Sequence, residues 1–186
     1  MIFQRTEIDL MKPFITPDID PTGKKSFKYQ CEGILYENLR SQLIGKELLA
    51  YSIFENQSLQ ATWDLSFIFD SDLVVKFSSA CTQAIDWQEV GSLNMLFSNR
   101  IENEPNIENK IKIFISPIKL MTLEKLIYED DDVVVECGLI FCGRNDQQII
   151  VSAGISPGSV SVQAQFTDEQ EFEPQFPLSI CRREKL

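Results

Sequence analysis

Histidine is absent from this chain of 186 residues, and basic residues are few: 17 Lys and Arg stand against 28 Asp and Glu, for a net charge of -11. Without imidazole, the histidine-dependent catalytic triads and histidine-containing zinc sites are excluded. With so few cations, a surface that tracks phosphate is not expected, because Lys and Arg supply most nucleic-acid affinity. A polybasic membrane contact is disfavoured for the same reason. Long apolar runs are missing too: nothing approaches the roughly 18 residues of a spanning helix. Residues 1–9 hold no apolar segment of the kind a secretory signal requires. A cytoplasmic location is the default expectation.

Cysteine is sparse and scattered. Cys31, Cys81, Cys137, Cys142 and Cys181 include no Cys-x-x-Cys pair. In a reducing compartment they are expected to stay free and pack as small hydrophobes. Cys137 and Cys142 share one strand-like run. On a regular strand, residues five apart point to opposite faces, so only a bulge would place them on one side. Glycine-rich phosphate loops are also lacking: neither GxGxxG nor GxxxxGK[ST] occurs.

What is present is an ordinary apolar fraction of 44%, enough for a globular core. Residues 11–28 carry Pro13, Pro17, Pro21 and Gly23 and read as an irregular arm. Ile34, Leu35, Leu39, Leu43 and Ile44 recur at helical spacing before Gly45, which predicts a short helix. Strand patterns then take over at 48–54, 62–69, 73–77, 92–97 and 110–115. In 62–69, Trp63, Leu65, Phe67 and Phe69 alternate with Asp64 and Ser66. Asp70, Ser71 and Asp72 supply turn chemistry, so 62–77 predicts a hairpin. Residues 99–109 read as a loop, and periodicity does not decide between strand and helix for 118–128. Residues 133–166 hold three apolar segments parted by turns at 143–146 and at Pro157 and Gly158, which predicts an antiparallel meander. Residues 167–186, acidic and with two prolines, read as a partly ordered tail. The sum is a single domain, 1–186, mainly β within the α+β class. It is expected to form an antiparallel sheet or barrel-like sandwich with roughly eight strands and one or two helices.

Carboxylates are the groups left to carry chemistry. Asp64, Asp70, Asp72, Asp86 and Glu89 lie in or near one hairpin. Such groups bind divalent cations or perform glycosidase chemistry, but Asp70 and Asp72 also suit the turn itself. The expectation is a non-enzymatic protein with no catalytic residues, no metal and no cofactor. Trp87 is either a packing residue or a partner anchor. Two acidic clusters are the candidate partner-binding residues: Glu129, Asp130, Asp131 and Asp132, and Asp168, Glu169, Glu171 and Glu173. Such clusters serve as solvated gatekeepers beside sticky strands or as recognition surfaces that speed encounter with a basic partner.

Two stretches carry a resemblance. One runs Asp64-Leu65-Ser66-Phe67-Ile68-Phe69 through Leu73-Val74-Val75 to Trp87-Gln88-Glu89-Val90-Gly91-Ser92-Leu93. The other joins Glu136-Cys137-Gly138-Leu139-Ile140-Phe141, Gln148-Ile149-Ile150-Val151-Ser152-Ala153-Gly154 and Pro157-Gly158-Ser159-Val160-Ser161-Val162. Together they resemble small bacterial immunity proteins of contact-dependent or polymorphic toxin systems. The resemblance carries no catalytic motif. It implies a cytoplasmic protein that binds a cognate toxin protein and blocks its active site. A basic nuclease domain would suit the acidic surface, with no direct nucleic-acid or membrane partner. Two alternatives stay open: an acidic nucleic-acid mimic that occupies a basic groove, and a carboxylate enzyme using a divalent metal.

Overall fold

The computed structural model describes residues 12–86, 88–99, 109–168 and 171–186. In chain order the strands are β1 (Asp18–Ile19), β2 (Lys25–Phe27), β3 (Gln30–Glu32), β4 (Glu47–Phe54), β5 (Leu65–Phe69), β6 (Leu73–Ile85), β7 (Gln88–Asn99), β8 (Lys110–Lys119), β9 (Thr122–Glu129), β10 (Val133–Cys142), β11 (Gln148–Ala153), β12 (Val160–Gln163) and β13 (Cys181–Lys185). Helix α1 (Leu39–Leu43) follows a 3-10 turn at Tyr36–Asn38. Its apolar spacing buries Leu39 and Leu43, and Gly45 ends it at φ +86°, a backbone setting that glycine adopts without strain.

Turn chemistry sets the hairpins. Ser71 and Asp72 both have φ near +58°, and the Asp70 carbonyl accepts the Leu73 amide at 3.4 Å. Two left-handed residues in a two-residue loop match the right-handed twist of the flanking strands. The Asp70 carboxylate also accepts the Glu47 amide at 3.1 Å, which ties this turn to the start of β4. Asn145 and Asp146 repeat the device between β10 and β11, with φ of +53° and +59°.

The strands form two sheets. Six order as β3-β7-β6-β5-β4-β8, and seven form the second sheet around β10. The expected mainly β, α+β architecture is found, open rather than closed into a barrel. The sheets are mixed, however, because β3 runs parallel to β7 and β2 runs parallel to β10. Neither parallel pair comes from a βαβ unit.

Strand β10 is the fork of the second sheet. One edge pairs with β9 along 134–142. The other edge is shared: β2 takes residues 133–135 and β11 takes 138–142. Between the two lies a bulge at Glu136–Gly138. A bulge adds a residue and reverses the inside–outside alternation beyond it. Val133, Val135 and Ile140 therefore share one apolar cluster although they are not all an even number apart. The same bulge is the condition stated for the cysteines, and with it Cys137 and Cys142 both pack on that cluster.

Between the sheets, Phe67, Phe77 and Phe141 pack edge-on with centroids 5.1, 5.7 and 6.0 Å apart, all at most 1% exposed. Edge-to-face packing suits the ring quadrupoles. The outer face of the second sheet carries Leu126, Val133, Val135, Ile140 and Ile150, roofed by Phe172 and Phe176. Phe176 stacks on Tyr128 at 4.0 Å.

Two sequence expectations change here, and one that periodicity leaves open is decided. The arm at 11–28 contributes β1 and β2, residues 118–128 belong mostly to β9, and the acidic tail is built into the fold. Beyond Glu171 the tail roofs the outer cluster, turns at Leu178–Ile180 and adds β13 to the edge of β9. β13 reads Cys-Arg-Arg-Glu-Lys and lacks apolar alternation because opposite charges across the strand pair hold it. Glu184 lies opposite Lys125 at 3.5 Å, and Arg182 reaches Glu129 at 3.3 Å. The loop read at 99–109 falls largely outside the described residues.

Candidate functional site

The first acidic cluster sits on the turn from β9 to β10. Glu129 is bound by Lys24 Nζ at 2.8 Å and by Arg182 Nε at 3.3 Å, and these hydrogen bonds hold its carboxyl below the usual range. Asp130 turns inward. Its Oδ1 accepts the amides of Asp132 at 2.9 Å and Val133 at 2.8 Å, and Oδ2 accepts the Tyr128 hydroxyl at 2.9 Å. Burial pushes the Asp130 carboxyl up, but these donors outweigh it and hold it below its ordinary value. Asp131 and Asp132 are exposed, and among the described residues no ion pair within 4.0 Å engages either carboxylate. The turn is thus pinned from within and presents two outward charges.

The second cluster lies on the segment that leads to the outer roof. Asp168, Glu171 and Glu173 are exposed. The Asp168 carbonyl accepts the Glu171 amide at 3.0 Å, and the Glu173 amide donates to Ser161 Oγ at 2.9 Å. Glu169 and Trp87 lie outside the described residues.

The most elaborate polar group was not among the sequence candidates. Glu136 is the lone charge in the apolar run 133–141, and it is 7% exposed. That isolation was the signal for a buried partner, since an unpaired carboxylate is not tolerated in a core. Its Oε2 accepts the Tyr29 amide at 2.8 Å, its Oε1 accepts Lys125 Nζ at 2.8 Å, and the Tyr36 hydroxyl donates to it at 2.9 Å. Lys125 also lies 5.2 Å over the Tyr36 ring. Burial alone lowers the Lys125 ammonium, but its bonds to Glu136 and Tyr36 win and raise it. Burial pushes the Tyr36 hydroxyl up to about 12, and burial together with the Glu136 charge raises Tyr29 and takes the Cys31 thiol to about 12. The Tyr29 hydroxyl donates to the Gly138 carbonyl. These bonds fix the fork of β10 against the chain entering the other sheet. Its chemistry is that of a clasp.

The hairpin carboxylates do not converge. Asp64 is 8% exposed, clamped by Lys110 at 2.6 Å and Lys76 at 2.8 Å. Asp70 and Asp72 belong to their turn, Asp86 sits in another at φ +47°, and Glu89 accepts the Cys81 thiol at 3.2 Å. Among the described residues no group of three or more Cys, Asp or Glu is placed to hold a metal ion. One Ser-x-x-Lys spacing exists, Ser116 to Lys119. It falls on strand β8, where both residues are exposed, and not on the helix that would set them side by side. Among the described residues no helix is long and apolar enough to cross a membrane. Comparison with protein families, curated proteins and solved structures finds no match to this chain.

Proposed function

We propose that this protein acts by stoichiometric binding to a basic protein partner, as an immunity-type inhibitor that covers the active site of a cognate toxin domain. The supporting observation is how the negative charge is divided. Asp64, Glu129, Asp130 and Glu136 are matched inside the chain, whereas Asp131 and Asp132 face outward from a turn that Asp130 pins. A rigid charged tip loses little conformational entropy on association, and exposed charge speeds encounter with an oppositely charged surface.

The test pairs the purified protein with the toxin domain encoded by the adjacent gene. A one-to-one complex is expected, with loss of toxin activity at equimolar inhibitor and an association rate that falls as salt is raised. Absence of a complex, together with no protection of cells that express the toxin, removes the proposal.

A further inference from the structure

Two thiols far apart in sequence meet on the outer face of the second sheet. Cys137 Sγ and Cys181 Sγ are 4.0 Å apart. Cys137 is fully buried on the β10 bulge, and Cys181 is half-buried as the first residue of the edge strand β13. We propose that Cys181 and Cys137 form an oxidation site, at which hydrogen peroxide converts the two thiols into a disulfide that fastens β13 to β10.

The bulge makes the meeting possible. β13 and β10 flank β9, and adjacent strand backbones stand about 4.8 Å apart, so these two stand at roughly twice that. A thiol from a regularly paired position would not cross the gap. Cys137 falls in the register shift between Glu136 and Gly138, and its thiol reaches over β9 to donate to the Leu126 carbonyl at 3.4 Å. A disulfide spans about 4.4–6.8 Å between Cα atoms. Closure therefore draws the start of β13 inward. Cys181 follows a 3-10 turn, and among the described strands β13 pairs only with β9, so this shift disturbs one ladder, at Cys181 opposite Tyr128.

The two thiols have different roles. Cys181 is reachable, and its hydrogen bond with Cys137 holds its thiol below the ordinary value against the opposing effect of burial. Cys137 is raised by that same bond and by burial. Cys181 thiolate attacks one peroxide oxygen. The O–O bond breaks, the sulfur becomes a sulfenic acid, and hydroxide leaves to take up the proton lost by the Cys181 thiol, giving the first water. Cys137 sulfur then attacks the sulfenic sulfur. The S–S bond forms, the S–O bond breaks, and the leaving hydroxide takes the Cys137 proton as the second water. Two electrons pass from the thiols to the peroxide. Two other thiols are disfavoured as nucleophiles: burial raises Cys31 to about 12, and burial with Glu89 raises Cys81 to about 11.

The test oxidises the reduced full chain with hydrogen peroxide and maps its peptides without reduction. The expected product is lighter by two hydrogens, with Cys137 joined to Cys181 while Cys31, Cys81 and Cys142 still alkylate. Cys181→Ser forms no intrachain disulfide, and Cys137→Ser leaves a sulfenic acid at Cys181 that a cyclic 1,3-dione traps. Should the buried Cys137→Ser variant fail to fold, the wild-type map and Cys181→Ser decide the matter. A disulfide joining any other pair as the main product, cross-linking between chains, or Cys181 still free once other thiols are consumed overturns the proposal.

Discussion

Replacing Lys125 by methionine keeps the packing of the side chain and removes its ammonium, leaving Glu136 charged in a site where its side chain is 9% exposed. Removing one partner of a buried ion pair costs about 3–5 kcal/mol, because the survivor stays desolvated. Glu136 keeps the Tyr29 amide and the Tyr36 hydroxyl, so the low end applies, about 3 kcal/mol. Glu136→Gln leaves the Lys125 ammonium with Glu184 at 3.5 Å and turns an amide group toward donors, at about 2 kcal/mol. In the double variant no charge is buried, so the cost should stay near about 2–3 kcal/mol instead of the additive sum of about 5. Urea unfolding of the four proteins measures this cycle, with m expected to be constant. At about 2–4 °C per kcal/mol for a chain of this size, Lys125→Met should melt about 6–12 °C lower. A Lys125→Met loss under about 1 kcal/mol, or single losses that add within about 0.5 kcal/mol, would show that the clasp is not the desolvated pair described.

Three further outcomes are expected. Asp130 has its folded carboxyl pKa below the ordinary 3.8, so the unfolded state takes up protons first on acidification. Its stabilisation is complete above 3.8 and lost as pH falls through the lower folded value. The stability gap between wild type and Asp130→Asn should therefore be flat at neutral pH and close in that acid window, as acid titrations followed by circular dichroism will reveal; a gap unchanged at low pH contradicts the turn assignment. Gly33→Ala should cost about 2–4 kcal/mol, because φ is +82° and the new methyl would strike the Phe97 carbonyl; thermal melts check this. Asp131→Asn with Asp132→Asn should leave stability within about 0.5 kcal/mol but slow association with the basic partner several-fold at low salt, measured by stopped flow.

Local chemistry was readable in the sequence wherever it decided structure alone. Asp70, Ser71 and Asp72 announced their turn because short polar side chains and left-handed φ go together. The meander of β10, β11 and β12 was legible for the same reason, since consecutive apolar strands with tight turns pair with their neighbours. Long-range pairing left no such trace. Lys25, Ser26 and Phe27 look like any short stretch of the arm, and only contact with β10 makes them a strand. β13 was hidden because an edge strand held by Arg182, Arg183 and Glu184 has no apolar period to detect. At the candidate site, the acids were visible and their division into matched and outward-facing groups was not, because Lys24 and Arg182 reach Glu129 from distant parts of the chain. Glu136 gave a legible hint as a lone acid among valines, yet the Tyr29 amide that binds it lies 107 positions away.

The divided edge of β10 also bears on the order in which the molecule assembles. β9, β10, β11 and β12 follow one another in the chain and can zip together through short closures. β2 and β3 must return across a very long loop, at an entropic cost that only the finished sheet repays. The N-terminal strands should therefore dock last and come away first, as a separate cooperative unit. Native-state hydrogen exchange would then show the β2 amides at Lys25–Phe27 opening at lower free energy than those of β10 at Leu139, Ile140 and Phe141. The Glu136 clasp, placed where the two halves of that edge meet, would serve as the latch of this last step.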